Sequence, residues 1–141
     1  MSVIGIKISY DIKAPHAIMH KAGIDFHGVI FDLKIAAYLI DSSSGEYGLD
    51  TLIHEYLGLD LKEKGDELKV RQVSLFEQLH EKMESKIKEL DMNELLYDVE
   101  QPLTEVLASM ESEGFKVDGS KLSELGVKFK GEIDRVQEEI F

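Results

Sequence analysis

Between Gly23 and Gly58 the hydrophobic pattern changes period twice, and each change marks an element. Val29-Ile30-Phe31, an uninterrupted apolar run bounded by Gly28 and Asp32, reads as a short buried strand of an α/β sheet. From Asp32, which has the side chain of a helix N-cap, Leu33, Ala36, Ala37 and Ile40 recur at helical spacing. Ser42-Ser43-Ser44-Gly45 then stops that helix with turn-forming residues. Leu49, Leu52, Ile53, Tyr56 and Leu57 form the apolar face of a second helix, and Gly58 sits where a left-handed C-cap is expected.

Upstream, Ile4, Ile6 and Ile8 alternate with Val3, Gly5 and Lys7, which predicts a strand over Val3–Ser9. A helix is expected from about Ile12 to Ala22, with Pro15 in its first turn and Gly23 as its stop. Strand, helix and strand in this order imply a parallel, right-handed crossover. A two-stranded parallel sheet leaves an edge that later helices or a second copy of the chain must cover, so a homodimer through the strand edge is one expectation.

Downstream the chain turns charged and helical. Leu59–Gly65 is a connection rich in Lys, Asp and Glu, and Val73, Phe76, Leu79, Met83, Ile87 and Leu90 predict one long helix from Asp66 to about Leu90, with its stripe in the core. Asp91 and Asn93 mark a break, followed by about two helical turns. Pro102 fits the first turn of a further helix carrying Leu103, Val106, Leu107 and Met110 on one side, ended by Gly114. A last helix over roughly Ser120–Phe141 places Leu122, Leu125, Phe129, Ile133, Val136 and Ile140 on one stripe.

Composition narrows the function classes. The chain has 141 residues, about one domain, and 43% of them are hydrophobic, enough for a globular core. It contains no cysteine, which excludes disulfides and thiolate metal sites. No apolar run reaches the roughly 20 residues that span a bilayer, and there is no signal-peptide pattern, so no membrane association and a cytoplasmic location are expected. The net charge of −12, with Lys and Arg dispersed among Asp and Glu, argues against tight DNA binding by this stretch alone, because phosphate contacts need a basic face.

Ala22-Gly23-Ile24, a strand ending in Phe31-Asp32, Tyr38-Leu39-Ile40-Asp41-Ser42, Leu49-Asp50-Thr51-Leu52 and Tyr56-Leu57-Gly58 occur in one order. That series resembles the 3'-5' exonuclease domain of the bacterial DNA polymerase I family. The segment Glu100–Asp118, with its Pro-Leu helix, Met-Glu pair, Gly and Val-Asp, is similar to the opening of the polymerase domain in the same family. The resemblance implies a helix-rich α/β fold: a partial ribonuclease H-like fold with a short parallel sheet, then long helices. It divides the chain into 1–92, a partial and degenerate exonuclease-like domain, and 93–141, the first helices of a polymerase domain.

An exonuclease of this type positions two divalent metals about 4 Å apart, Mg2+ or Mn2+ in the family, and needs several converging carboxylates. The family's first Asp-x-Glu motif would fall before Met1; Asp98-Val99-Glu100 is the only such triplet present, in a helical stretch where both side chains should be solvated. Asp11, in Ser9-Tyr10-Asp11, matches the family's second metal-binding position, although Lys7 stands where the family usually has Asn. The simpler reading of both Asp11 and Asp32 is helix N-capping. The family's Tyr and Asp on the long helix are replaced by Leu68 and Gln72, neither of which can ligate metal or activate water. Tyr56 and Asp60 repeat that spacing, but Gly58 should break the helix between them.

His16 and His20 have a zinc-compatible i, i+4 spacing but no glutamate between them and no evident third ligand; His27, His54 and His80 stand alone. The chain therefore reads as a fragment of a DNA polymerase I family protein that needs no cofactor of its own, meets DNA only in the parent enzyme, and is inactive alone. Two alternatives stand beside this: a metal-dependent 3'-5' exonuclease that uses Asp11, and a non-enzymatic helical interaction or dimerisation module.

Overall fold

Lys7–Ser9 (β1) and Ile30–Asp32 (β2) pair in parallel, with Lys7 opposite Ile30, Ile8 opposite Phe31 and Ser9 opposite Asp32. They belong to a computed structural model that describes residues 7–24, 28 and 30–140. The crossover between them is the helix Lys13–Lys21 (α1), with Pro15 in its first turn and Gly23 at φ +68° beyond its end. The strand-helix-strand unit expected from the pattern is thus present. The Val3–Ile6 part of the first strand, together with His27, Val29 and Phe141, lies outside the described residues.

Leu33–Ile40 (α2) starts directly after the last residue of β2, and Leu49–Leu57 (α3) follows after a loop. Gly58, at φ +66°, ends α3 with its N–H bonded to the His54 carbonyl, the left-handed cap that glycine adopts without steric cost. The core lies where α2, α3 and the later helices close over β2. Phe31, Leu33, Ala36, Leu52 and Ile53 meet Leu75, Leu79, Met83, Ile87 and Leu96 there, all of them buried.

One long helix was expected over 66–90; two are found, Gly65–Ser74 (α4) and Phe76–Glu89 (α5), with a kink at Leu75. Leu75 leaves the helical dihedrals at φ −100° and ψ −2°, and its N–H reaches back only three residues, to the Gln72 carbonyl. The Ser74 hydroxyl donates to the Arg71 carbonyl within the same turn, a contact that often bends helices. The kink drives Leu75 into the core while Val70 and Val73 stay exposed, so the stripe is buried only at Leu79, Met83 and Ile87 of α5 and half-buried at Phe76.

Helix Gln101–Glu113 (α6) does not start afresh at Pro102. The chain enters it through a π-helical turn, Leu95–Glu100, in which the Gln101 N–H bonds to the carbonyl of Leu96, five residues back. Pro102 has no N–H with which to close an ordinary turn on Asp98, and the wider turn accommodates that. It also places Leu96 in the core. The side of α6 with Leu103, Val106, Leu107 and Met110 is exposed; Thr104 and Ala108 are the buried residues, and small side chains there let α6 lie close along α1. Lys13 of α1 ties the pair with a 2.9 Å ion pair to Glu111.

Gly119–Ile140 (α7) follows, with the Asp118 carboxylate accepting from the Lys121 N–H at 3.1 Å in its first turn. None of its residues is buried, and Leu122, Leu125, Phe129, Ile133, Val136 and Ile140 form an exposed apolar stripe. No helix among the described residues is long and apolar enough to cross a membrane.

Candidate functional site

The polar junction of the fold lies where β1 and β2 end and α1 and α2 begin. Asp32 organises it. Its Oδ1 accepts from the N–H groups of Lys34 at 2.8 Å and Ile35 at 3.2 Å, capping α2, and its Oδ2 accepts from the Ile12 N–H at 2.6 Å, at the start of α1. One buried carboxylate thereby satisfies donors at two helix ends that would otherwise lack partners.

Asp11 was expected to cap α1, and it does not. The residue at the cap position is Ile12, with no side-chain cap bond, and Asp11 sits in the left-handed region at φ +55°. Its carboxylate instead takes the ammonium of Lys34 at 2.6 Å. The hydrogen bond it donates to Asp11 raises the pKa of Lys34 above its ordinary value, which burial alone would lower. With the folded pKa raised, this stabilisation is complete below the unfolded lysine pKa and is lost only as pH climbs through the folded one. Both side chains are about two-fifths exposed, 43% for Asp11 and 42% for Lys34, so the pair contributes no more than about 1 kcal/mol.

Beside this junction is a cavity of about 300 Å3. Ile12, Ile35, Tyr38 and Tyr47 line it from the β-α-β side and Leu103, Thr104 and Leu107 from α6, with Asp11, Asp32, Lys13, Lys34 and Glu100 as its charged groups. The loop 41–48 is held to it by two tyrosine hydroxyls: Tyr10 donates to the Tyr47 carbonyl at 3.0 Å, and Tyr47 donates to the Asp41 carbonyl at 2.8 Å. Burial raises the pKa of Tyr10 despite the nearby Lys34 ammonium.

The other candidates lie apart from it. Gln72, on α4, donates to Asp50 of α3 at 2.8 Å, and Leu68 is half-buried one turn earlier on the same helix. Tyr56 and Asp60 are separated by the left-handed Gly58, as expected, and Asp60 pairs with His54 at 2.8 Å, so His54 is not isolated. His80 packs its ring edge-on to Phe31 at a centroid distance of 4.5 Å. His16 is buried on α1, whereas His20 is exposed. Asp98 is exposed, but Glu100 is half-buried and lines the cavity, against the expectation that both would be solvated. Among the described residues no three His, Asp or Glu side chains converge in a way that could hold a metal ion.

Burial pushes the Tyr56 hydroxyl up to about 12, with the neighbouring Glu55 adding to the effect. A spectrophotometric titration should show this tyrosine ionising late, and native stability falling as pH rises from about 10 towards 12, because only the unfolded chain then releases that proton. Tyr56→Phe should remove both effects.

Residues 5–67, which contain β1, the Asp11–Lys34 pair and the Asp32 junction, match the family described as DNA polymerase I, ribonuclease H-like domain. Over almost its whole length the chain also aligns with bacterial proteins named DNA polymerase I. The chain is similar to bacterial DNA polymerase I. It is 29% identical over 152 residues to the DNA polymerase I of Geobacillus stearothermophilus, covering 96% of this chain and 17% of that protein. To the enzyme of Caldicellulosiruptor bescii it is 31% identical over 142 residues, covering 96% of this chain and 16% of the relative. Against that of Streptococcus pneumoniae the identity is 28% over 148 residues. The chain therefore spans about a sixth of the length of these polymerase I relatives.

Sequence reasoning found Asp11 and Asp32 but missed Lys34, Lys13 and the two cavity tyrosines. Lys34 lies 23 residues from Asp11, and no local pattern links them. The one available signal was a lysine two residues after a capping aspartate, on the first turn of a helix that packs beside the strand end.

Proposed function

We propose that this chain is part of a protein of the DNA polymerase I family, in which its ribonuclease H-like unit is a structural scaffold and not a working 3'-5' exonuclease. The activity of the whole protein, template-directed nucleotidyl transfer on DNA, comes from the polymerase I likeness. The division at residues 92 and 93 into an exonuclease-like part and the first polymerase helices has the same source. DNA is the expected partner of the whole protein, with Mg2+ or Mn2+ for its chemistry.

The observation that carries the scaffold reading is the state of the two carboxylates at the junction. Asp11 is the one metal-ligand position of the exonuclease pattern matched here, and the Lys34 ammonium stands 2.6 Å from it, where a cation would have to approach. Asp32 spends both oxygens on three backbone amides. A two-metal mechanism needs several carboxylates free to share metal ions. These residues do not fit that demand. Leu68 and Gln72 add no ligand, and Gln72 is occupied with Asp50.

The test is hydrolysis of a 3'-labelled single-stranded oligonucleotide by the purified chain in manganese, with Asp11→Ala as the comparison. Neither protein should release label. Release by the wild type that Asp11→Ala abolishes would establish the exonuclease reading instead.

The exposed stripe of α7 favours a second reading, a helical interaction module, for which a second copy is the simplest partner. Light scattering across a concentration series should then show association, and Phe129→Asp should abolish it, since a charge cannot be desolvated in an apolar contact without loss. A monomer at all concentrations would dispose of self-association through this face and of the strand-edge homodimer together.

A further inference from the structure

The cavity between α2 and α6 has an apolar body and an uneven charge. Ile12, Ile35, Leu103 and Leu107 give it aliphatic walls, and Tyr38 stands edge-on to Tyr47 with ring centroids 6.0 Å apart. Tyr38, Leu103 and Leu107 are each between 41% and 49% exposed, so three large apolar side chains open to solvent on one recess. Its volume of about 300 Å3 is at the small end of ligand pockets.

The charges decide what kind of ligand suits it. Both lysines in the lining are already engaged, Lys34 with Asp11 at 2.6 Å and Lys13 with Glu111 at 2.9 Å. Asp32 is committed to backbone amides. The carboxylate of Glu100 has no hydrogen-bond or ion-pair partner among the described residues, although Glu100 is half-buried and lines the recess. An anionic ligand would have to break an existing ion pair and accept the repulsion of Glu100. A cation would find an unpaired carboxylate beside two tyrosine rings, whose faces attract ammonium groups.

We propose that this recess is a binding site for a small organic cation, an ammonium group carried on an aromatic or aliphatic body. The apolar body packs between Ile35 and Tyr38 of α2 and Leu103 and Leu107 of α6. The ammonium group is held by the Glu100 carboxylate. The π-helical turn before Pro102 sets the position of Glu100, because the wider turn rotates the residues that precede α6 relative to those within it.

Two probes of the same shape and opposite charge test this on the full chain: phenethylammonium and phenylacetate, titrated while amide resonances are followed. Phenethylammonium should give saturable shifts centred on Ile35, Tyr38, Leu103 and Leu107, and phenylacetate should bind at least about tenfold more weakly, the equivalent of 1.4 kcal/mol. Glu100→Gln should weaken phenethylammonium by about tenfold, and Leu107→Trp, which fills the recess from an exposed position, should block it while the rest of the spectrum stays folded. Equal or tighter binding of phenylacetate, an unchanged affinity in Glu100→Gln, shifts centred elsewhere or no saturable shift would each overturn the proposal.

Discussion

Phe31→Ala should be among the most damaging single substitutions in the chain, costing about 3–5 kcal/mol. The Phe31 side chain is fully buried, in the middle residue of β2, and its ring meets His80 of α5 at 4.5 Å and Tyr97 of the π-helical turn at 6.4 Å. Three parts of the chain that are distant in sequence close on that one ring. Removing it leaves a cavity that a two-stranded sheet and separate helices cannot collapse without giving up each other's contacts. Set against a typical domain stability of about 5–15 kcal/mol, the loss would leave much of the population unfolded under mild denaturant. Urea unfolding followed by circular dichroism should show a large fall in midpoint with the slope unchanged. A shift equivalent to less than about 1 kcal/mol would mean that Phe31 does not hold the core together.

The second large effect is expected at Asp32. Asp32→Ala removes the α2 cap, worth about 0.5–2 kcal/mol, and leaves the Ile12 amide without its acceptor in a buried place, worth about 1–3 kcal/mol more. The total of about 2–5 kcal/mol should appear in the same unfolding experiment. Asp32→Asn should fall between Ala and wild type, because an amide offers one oxygen where the structure uses two. Asp11→Ala is the contrast. It breaks only a half-exposed ion pair and should cost no more than about 1 kcal/mol. If Asp11→Ala proved the costlier of the two, the division of labour between these aspartates would be the reverse of the one described.

This pair also shows how far the sequence could be read. In the sequence both aspartates stand at an expected helix start, and the rule that Asp caps helix starts applies equally to each. It holds at Asp32 and fails at Asp11. The cap rule considers only the residues that follow in the chain, whereas the Ile12 amide, at the cap position of α1, finds its acceptor in Asp32, twenty residues later. Asp11 instead adopts the left-handed region and pairs with Lys34.

The helices divide in the same way. Gly23 and Gly58 end α1 and α3 as expected, because a positive φ is a property of the residue itself. The kink at Leu75 was not legible, since Val73 and Phe76 keep perfect helical spacing across it. Nor was it legible that the Leu103, Val106, Leu107 and Met110 side of α6 would stay largely exposed while Thr104 and Ala108 became its buried residues. Periodicity identifies an apolar face but not the surface it is turned towards.

The order of strand, helix and strand, their parallel pairing, the glycine stops and the likeness to the DNA polymerase I family were therefore determined by the sequence alone. They depend on dihedral preference, on side-chain period and on an ordered series of short motifs, all carried by neighbouring residues. Tertiary structure alone decided that Lys34 neutralises Asp11, that one buried carboxylate serves two helices, and that Glu100 lines an apolar recess. Those outcomes are set by which distant groups compete for the same donor or the same space, and that competition arises only when the elements have packed.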